Sequence, residues 1–207
     1  MSTSLILVIA GVGILIAVTA FVVSIYNRLV ALSNANEEAW AQISVQLKRR
    51  HDLIPNLVSI VKGYARHETS TLEAVIAART AAVNADSDAQ HAAGAGAAEF
   101  GLSAALGKLF ALSEAYPDLK ANTNFLECQQ ELVDTENRIS FARQYYNDSV
   151  RELNTRLATV PDVFVAKLLL SVEPAQYFEI EDRSHAGLPE GVTRLEAADT
   201  PVVRFDD

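Results

Sequence analysis

The run from Leu5 to Tyr26 limits this chain more than any other stretch. It carries no charge and no Pro, and its strongest polar groups are Thr19 and Ser24. As a helix rising 1.5 Å per residue it would be roughly 33 Å long, enough to cross a hydrocarbon core of about 30 Å. A cleaved secretory signal is the competing reading. Such a signal has a basic n-region, a shorter apolar core and a small-x-small cleavage site. Here Met1-Ser2-Thr3-Ser4 has no basic side chain, and the apolar run passes straight into Ile25-Tyr26-Asn27-Arg28-Leu29. Residues 1–26 are therefore read as a retained transmembrane anchor in contact with membrane lipid.

Within the span, Ala10, Gly13, Ala17, Ala20 and Ser24 recur at intervals of three and four residues, which puts them on one helix face. Small residues let a second helix backbone approach closely in lipid, so this face is the expected site of transmembrane packing and homo-oligomer formation. Ala and Gly are also common in membrane helices, and such a stripe can arise by chance.

Beyond the anchor and a tail about 150 residues remain, enough for one domain with a substantial core. The net charge of −9 argues against nucleic acid, because phosphate neutralisation needs clustered Lys and Arg and the one basic run is Lys48-Arg49-Arg50. Cys128 is the single cysteine, so a disulfide framework and a Cys-based zinc site are both excluded. It reads as a small core residue rather than a nucleophile.

The rest of the chain has helical periodicity. Leu29, Leu32, Asn36, Trp40, Ile43 and Leu47 form a stripe opposite Glu37, Gln42, Gln46 and Arg49, so the anchor is expected to run into the domain without a flexible linker. At Lys48-Arg49-Arg50-His51-Asp52-Leu53-Ile54-Pro55-Asn56 the signals favour a break with reversal. Basic residues suit a helix end, Asp an N-cap and Pro a first turn. A kinked continuous helix is the alternative, since Leu47, Ile54 and Val61 keep a seven-residue register. A second helix is expected to about Asn84 and a loop over Ala85–Gly101, with Gly94 and Gly96 in it. A third helix should run from about Ala98 to Tyr116, stopped by Pro117. A fourth, capped by Asn122, should end near Pro161.

In that last helix Phe125, Leu132, Ile139, Tyr146 and Leu153 lie seven apart, with smaller Cys128, Thr135, Ala142 and Ser149 between them. This predicts a close-packed coiled-coil-like seam. The fold class is all-α: a transmembrane helix continuing into an antiparallel up-and-down four-helix bundle over 27–180, with an acidic, disordered tail over 181–207. The fourth helix should return toward the membrane. Val163–Leu170 is too short to span, and either caps the bundle's apolar end, the favoured reading, or lies in the membrane interface.

No catalytic residue, metal site or cofactor site is assigned. His51, His67, His91 and His185 make neither His-x-x-x-His nor Glu-x-x-His, and no phosphate loop or Gly-x-Ser-x-Gly is present. His67-Glu68 is a tempting acid/base pair, but neighbours on a helix point about 100° apart. Arg138 and Arg143 with Glu131 and Glu136 read as helix-surface pairing. The expectation is a protein that is not an enzyme.

Several segments together resemble one family. They are Tyr26-Asn27-Arg28-Leu29-Val30, Ala39-Trp40-Ala41-Gln42-Ile43, the run from Val45 to Val58, and Val61-Lys62-Gly63-Tyr64-Ala65-Arg66-His67-Glu68. Further on, Glu114-Ala115-Tyr116-Pro117-Asp118-Leu119-Lys120, Asn124-Phe125-Leu126, Glu131 to Ile139 and Ala142 to Asn147 complete the set. On these the chain is similar to the LemA family over about 26–180. The resemblance implies a bacterial, membrane-attached four-helix bundle with no established enzymatic activity. Placement is then the bacterial plasma (inner) membrane, with a single pass. Some family members carry a lipoprotein signal instead, which argues for a domain outside the cytoplasm. Arg28 and Lys48-Arg49-Arg50 after the span argue for the cytoplasm. Both sides stay open.

The expected function is a scaffold that self-associates in the membrane plane. An adaptor for another envelope protein, such as a membrane protease, is the alternative, and a hydrolase or metal enzyme using His67 and Glu68 a distant third. Arg49, Arg50, Asp52, Asn56 and Lys62 are the interaction residues to test, with a folding role favoured for Arg50, Asp52, Asn56 and Lys62.

Overall fold

A computed structural model of the chain describes residues 3–86, 92–170 and 172–179. The regular elements are all helical: α1 (Thr3–Tyr64), α2 (Thr69–Asp86), α3 (Ala92–Ser113), the short α4 (Pro117–Lys120), α5 (Thr123–Ala158), α6 (Asp162–Val165) and a π-helical turn over Ala166–Leu170. The tail expected to be disordered, 181–207, lies outside the described residues.

α1 and α5 pack antiparallel, pairing Leu29 with Leu153, Asn36 with Ser149 and Arg49 with Glu131. The expected stripes account for this pairing. Leu29, Asn36, Trp40, Ile43 and Leu47 are buried on α1, and Phe125, Leu132, Ile139, Tyr146 and Leu153 on α5. Asn36 avoids an unpaired buried amide by donating to Ser149 Oγ at 2.9 Å. α2 and α3 pack on each other and close the distal core, where Ile54, Leu57, Val61, Val75, Leu102, Leu106, Leu109, Leu119 and Phe125 are buried.

The chain does not reverse at Pro55. α1 passes through it and ends at Tyr64, so the expected second helix is in fact the end of α1 followed by α2. Pro55 has no N–H to offer the His51 carbonyl four residues back. That oxygen instead accepts from Arg79 Nε of α2 at 2.8 Å. With the missing bond replaced from outside, continuation needs no break. The reversal falls at Ala65–Glu68, where Glu68 N donates to Ala65 O. Asn122 then caps α5 as expected, accepting from Phe125 N at 3.0 Å, and its amide also donates to Tyr64 Oη.

Of the loop expected over Ala85–Gly101, residues 85–86 end α2, 92–101 with Gly94 and Gly96 are helix, and 87–91 lie outside the described residues. The third helix thus starts at Ala92 rather than Ala98 and ends at Ser113. Its alanines are good helix formers, and Ala92 and Ala95 are buried in a cluster with Trp40, Ile43 and Phe178. Gly96 is needed there for space, because a Cβ would collide with the Glu179 carbonyl. By length and composition α3 is also apolar enough to cross a membrane, yet its buried side chains include Leu102, Leu106, Leu109 and the carboxylate of Glu99. It is a core helix.

The N-terminal part of α1 is different. Side chains from Leu7 to Phe21 are exposed, Val22 is half-buried and, among the described side chains, Ile25 is the first to be buried. α5 ends beside Ile25 and Leu29, so among the described residues the apolar run from Leu7 projects bare beyond the packed helices.

Candidate functional site

Three arrangements carry the chemistry. The first is the bare helix. Ala10, Gly13, Ala17, Ala20 and Ser24 are all exposed, and nothing within 4 Å meets a Cβ built at Gly13. They form an open small-residue face on a helix long and apolar enough to cross a membrane, by length and composition.

The second is a buried charge cluster around Glu99, which is 1% exposed. Arg50 Nη1 donates to Glu99 Oε2 at 3.0 Å, and Arg50 Nη2 reaches Ser103 Oγ at 2.8 Å and Glu136 Oε2 at 3.1 Å. His51 Nε2 lies 2.5 Å from Glu99 Oε1. One carboxylate on α3 is thereby held by two consecutive residues of α1, and the guanidinium ties α1 to α3 and α5 together. Burying these charges is costly in itself, and removing one partner would strand the other. The cluster therefore fixes how three helices fit, and its buried polar atoms are occupied with each other.

The third is a strap. Residues 172–179 run extended across α5 and the start of α3. Asn154 donates to Ala175 O and accepts from Ala175 N, both at 2.9 Å. Asn147 does the same to Phe178, at 3.1 and 2.9 Å. Seven residues of helix advance about 10.5 Å and three extended residues about 10 Å, so the spacing of the two amides matches that of the two backbone units they hold. Tyr146 Oη donates to Gln176 O at 2.8 Å, and Phe178 packs edge-on to Trp40 with ring centroids 5.5 Å apart.

Of the residues singled out from the sequence, Arg50 is buried in the charge cluster, whereas Arg49, Asp52, Asn56 and Lys62 are exposed. Arg49 pairs with Glu131 across the helices and Asp52 with Lys48 on its own helix at 3.5 Å. Such exposed pairs contribute about 0–1 kcal/mol. Glu131 and Glu136 thus serve α1 rather than Arg138 and Arg143. His67 is exposed in the turn after α1, and Glu68 accepts from Tyr116 Oη at 3.2 Å. This contact and burial push the Tyr116 hydroxyl above its ordinary range, burial being the larger cause. Among the described residues, no three His, Cys, Asp or Glu side chains are grouped to hold a metal ion.

Sequence reading missed Glu99, Ser103, Arg79, Asn147 and Asn154. A signal existed for Glu99. It and Lys108 are the only charges in the whole of α3.

These features define an all-helical protein in which a bundle of packed helices rides on a long, bare, apolar N-terminal helix. The chain belongs to the LemA family, whose profile matches residues 39–190 and so extends ten residues beyond the end of the expected bundle. It is similar to magnetosome protein MamQ 2 and magnetosome protein MamQ 1 of Paramagnetospirillum magneticum (strain ATCC 700264 / AMB-1). Each is 25% identical to it, over 79% of this chain and 69% of the relative. Magnetosome protein MamQ of Magnetospirillum gryphiswaldense (strain DSM 6361 / JCM 21280 / NBRC 15271 / MSR-1) is 26% identical over the same shares.

Proposed function

We propose that this protein is a non-enzymatic scaffold, anchored by a single pass in a bacterial plasma membrane, that associates with copies of itself in the membrane plane. The observation that carries the reading is the bare apolar length of α1 with its open face of Ala10, Gly13, Ala17, Ala20 and Ser24. In lipid, helices associate through such faces by close backbone packing rather than by hydrophobic burial. α1 then continues unbroken to Tyr64, so packing between spans would set the angle between the attached domains. Sedimentation of the full chain in detergent tests this. A discrete oligomer that Gly13→Leu converts to monomer is expected, and a monomeric parent protein would sink the reading.

An adaptor role has its own support in the open side of the α1–α5 pair. Val45, Phe141 and Tyr145 are exposed there beside Arg138, and Gln46 Oε1 is buried with no hydrogen-bond partner. An envelope protein with an apolar helix carrying one donor would fit that groove. A photocrosslinker at Phe141 that recovers only self-adducts would eliminate it.

A further inference from the structure

The segment after α5 has two faces, and the fold uses only one. Val165 and Ala166 are buried against Ile25, Leu29, Leu153 and Leu157, with Val22, Leu32 and Leu170 packed around them. This face caps the end of the α1–α5 pair. The other face carries Val160, Phe164, Leu168 and Leu169, with Phe164 68% and Leu168 83% exposed, and the exposed Lys167 beside them. Scattered exposed leucines are ordinary on a protein surface. Four large apolar side chains within ten residues, on one short segment, are a patch that asks for an occupant.

Position identifies the occupant. The segment packs on α1 from Val22 to Leu29, about 10 Å of helix axis, and so overlaps the last turn of the bare apolar run. If that run crosses the hydrocarbon, the segment lies where acyl chains give way to headgroups, a zone several Å deep on each side of the core. Amphipathic segments rest in that zone with their apolar face pressed a few Å into the acyl boundary. Lys167 suits it too, since its stem can lie along apolar surface while the ammonium reaches a lipid phosphate.

We propose that residues 160–170 form a membrane-resting collar, in which Phe164, Leu168 and Leu169 enter the headgroup–acyl boundary of the bilayer that α1 crosses. The collar gives the domain a second lipid contact beside its anchor. With the continuous α1 it fixes both the tilt of the bundle and which side of it faces the membrane. The proposal rests on the membrane-spanning reading of α1.

The test uses full-length protein with Cys128→Ser, reconstituted into bilayers of phosphatidylcholine and phosphatidylglycerol. Single spin labels go on Leu168→Cys, on Ile14→Cys in the span and on Tyr145→Cys on the bundle. Collision rates with lipid-soluble oxygen and an aqueous nickel chelate are then compared. A several-fold higher oxygen-to-nickel ratio at 168 than at 145, approaching that at 14, is expected. A lipid-exposed label at 14 with an aqueous label at 168 overturns the collar alone. Labels aqueous at both 14 and 168 overturn the membrane-spanning reading and the collar with it. A label at 168 shielded from both reagents places protein, not lipid, on the patch and also overturns it.

Discussion

Arg79 Nε donates to the His51 carbonyl at 2.8 Å, and that carbonyl is the one Pro55 leaves without its helical partner. A residue of α2 thus replaces a backbone bond of α1, and the longest helix of the fold continues because of it. Arg79→Met should cost about 1–3 kcal/mol, the penalty of an unsatisfied, partly buried carbonyl plus a lost charge-assisted bond. Pro55→Ala restores an N–H at the right place, so in that background the Arg79→Met cost should shrink markedly. Denaturant unfolding of the four proteins in a double-mutant cycle measures the coupling, and additive effects would refute it.

Glu99 provides the second prediction. Glu99→Leu leaves Arg50 inside the fold with its main counter-charge gone, and should destabilise by about 3–5 kcal/mol. Adding Arg50→Met removes the stranded charge and should recover most of that loss. If Arg50 served a partner rather than the fold, the single substitution Arg50→Met would leave the melting temperature unchanged.

The strap makes a local prediction that global unfolding would not reveal. Asn147→Ala removes both bonds to Phe178, and Asn154→Ala both bonds to Ala175. Hydrogen exchange at residues 175–178 should accelerate strongly in either variant while amides in the middle of α5 keep their protection. Gly96→Leu should act alike from the opposite side, because its side chain would occupy the place of the Glu179 carbonyl. Unchanged exchange in all three variants would mean that the strap is held by the packing of Phe178 and the Tyr146–Gln176 bond without the two Asn side chains.

These cases show what periodicity could and could not deliver. The stripes on α1 and α5 were legible because each buried residue recurs on its own helix, and the register of Leu47, Ile54 and Val61 kept a continuous helix in view. The decisive contact at Pro55 was not legible, since Arg79 lies 28 residues from His51 and its role exists only once α2 has folded back. Gly94 and Gly96 misled for a related reason. Local propensity assigns glycine to a loop, whereas at Gly96 the close approach of the Glu179 carbonyl requires it inside a helix, and Gly94 lies in the same helix. The buried cluster was half visible. Lys48-Arg49-Arg50 stood out as a basic run, but nothing local separates Arg50, buried on Glu99, from exposed Arg49 one position away.

Cys128 offers a chemical readout of the α1–α5 seam. Burial, and to a smaller degree the neighbouring Glu131 carboxylate, raise its thiol above the ordinary value of 9.0. Both causes act by disfavouring the thiolate. Since only the thiolate reacts, maleimide labelling of the folded protein should be much slower than that of the unfolded chain at neutral pH, and its rate should rise with a midpoint above 9.0. The sign for stability follows. Between the unfolded and folded values the unfolded chain has lost its proton and the folded one has not, so stability is fully present below about pH 9 and declines as pH rises through that window. Cys128→Ser should remove this part of the alkaline decline, while Glu131→Gln should lower the labelling midpoint only part of the way. A thiol that titrates at or below 9.0 in the folded protein would place Cys128 outside the seam.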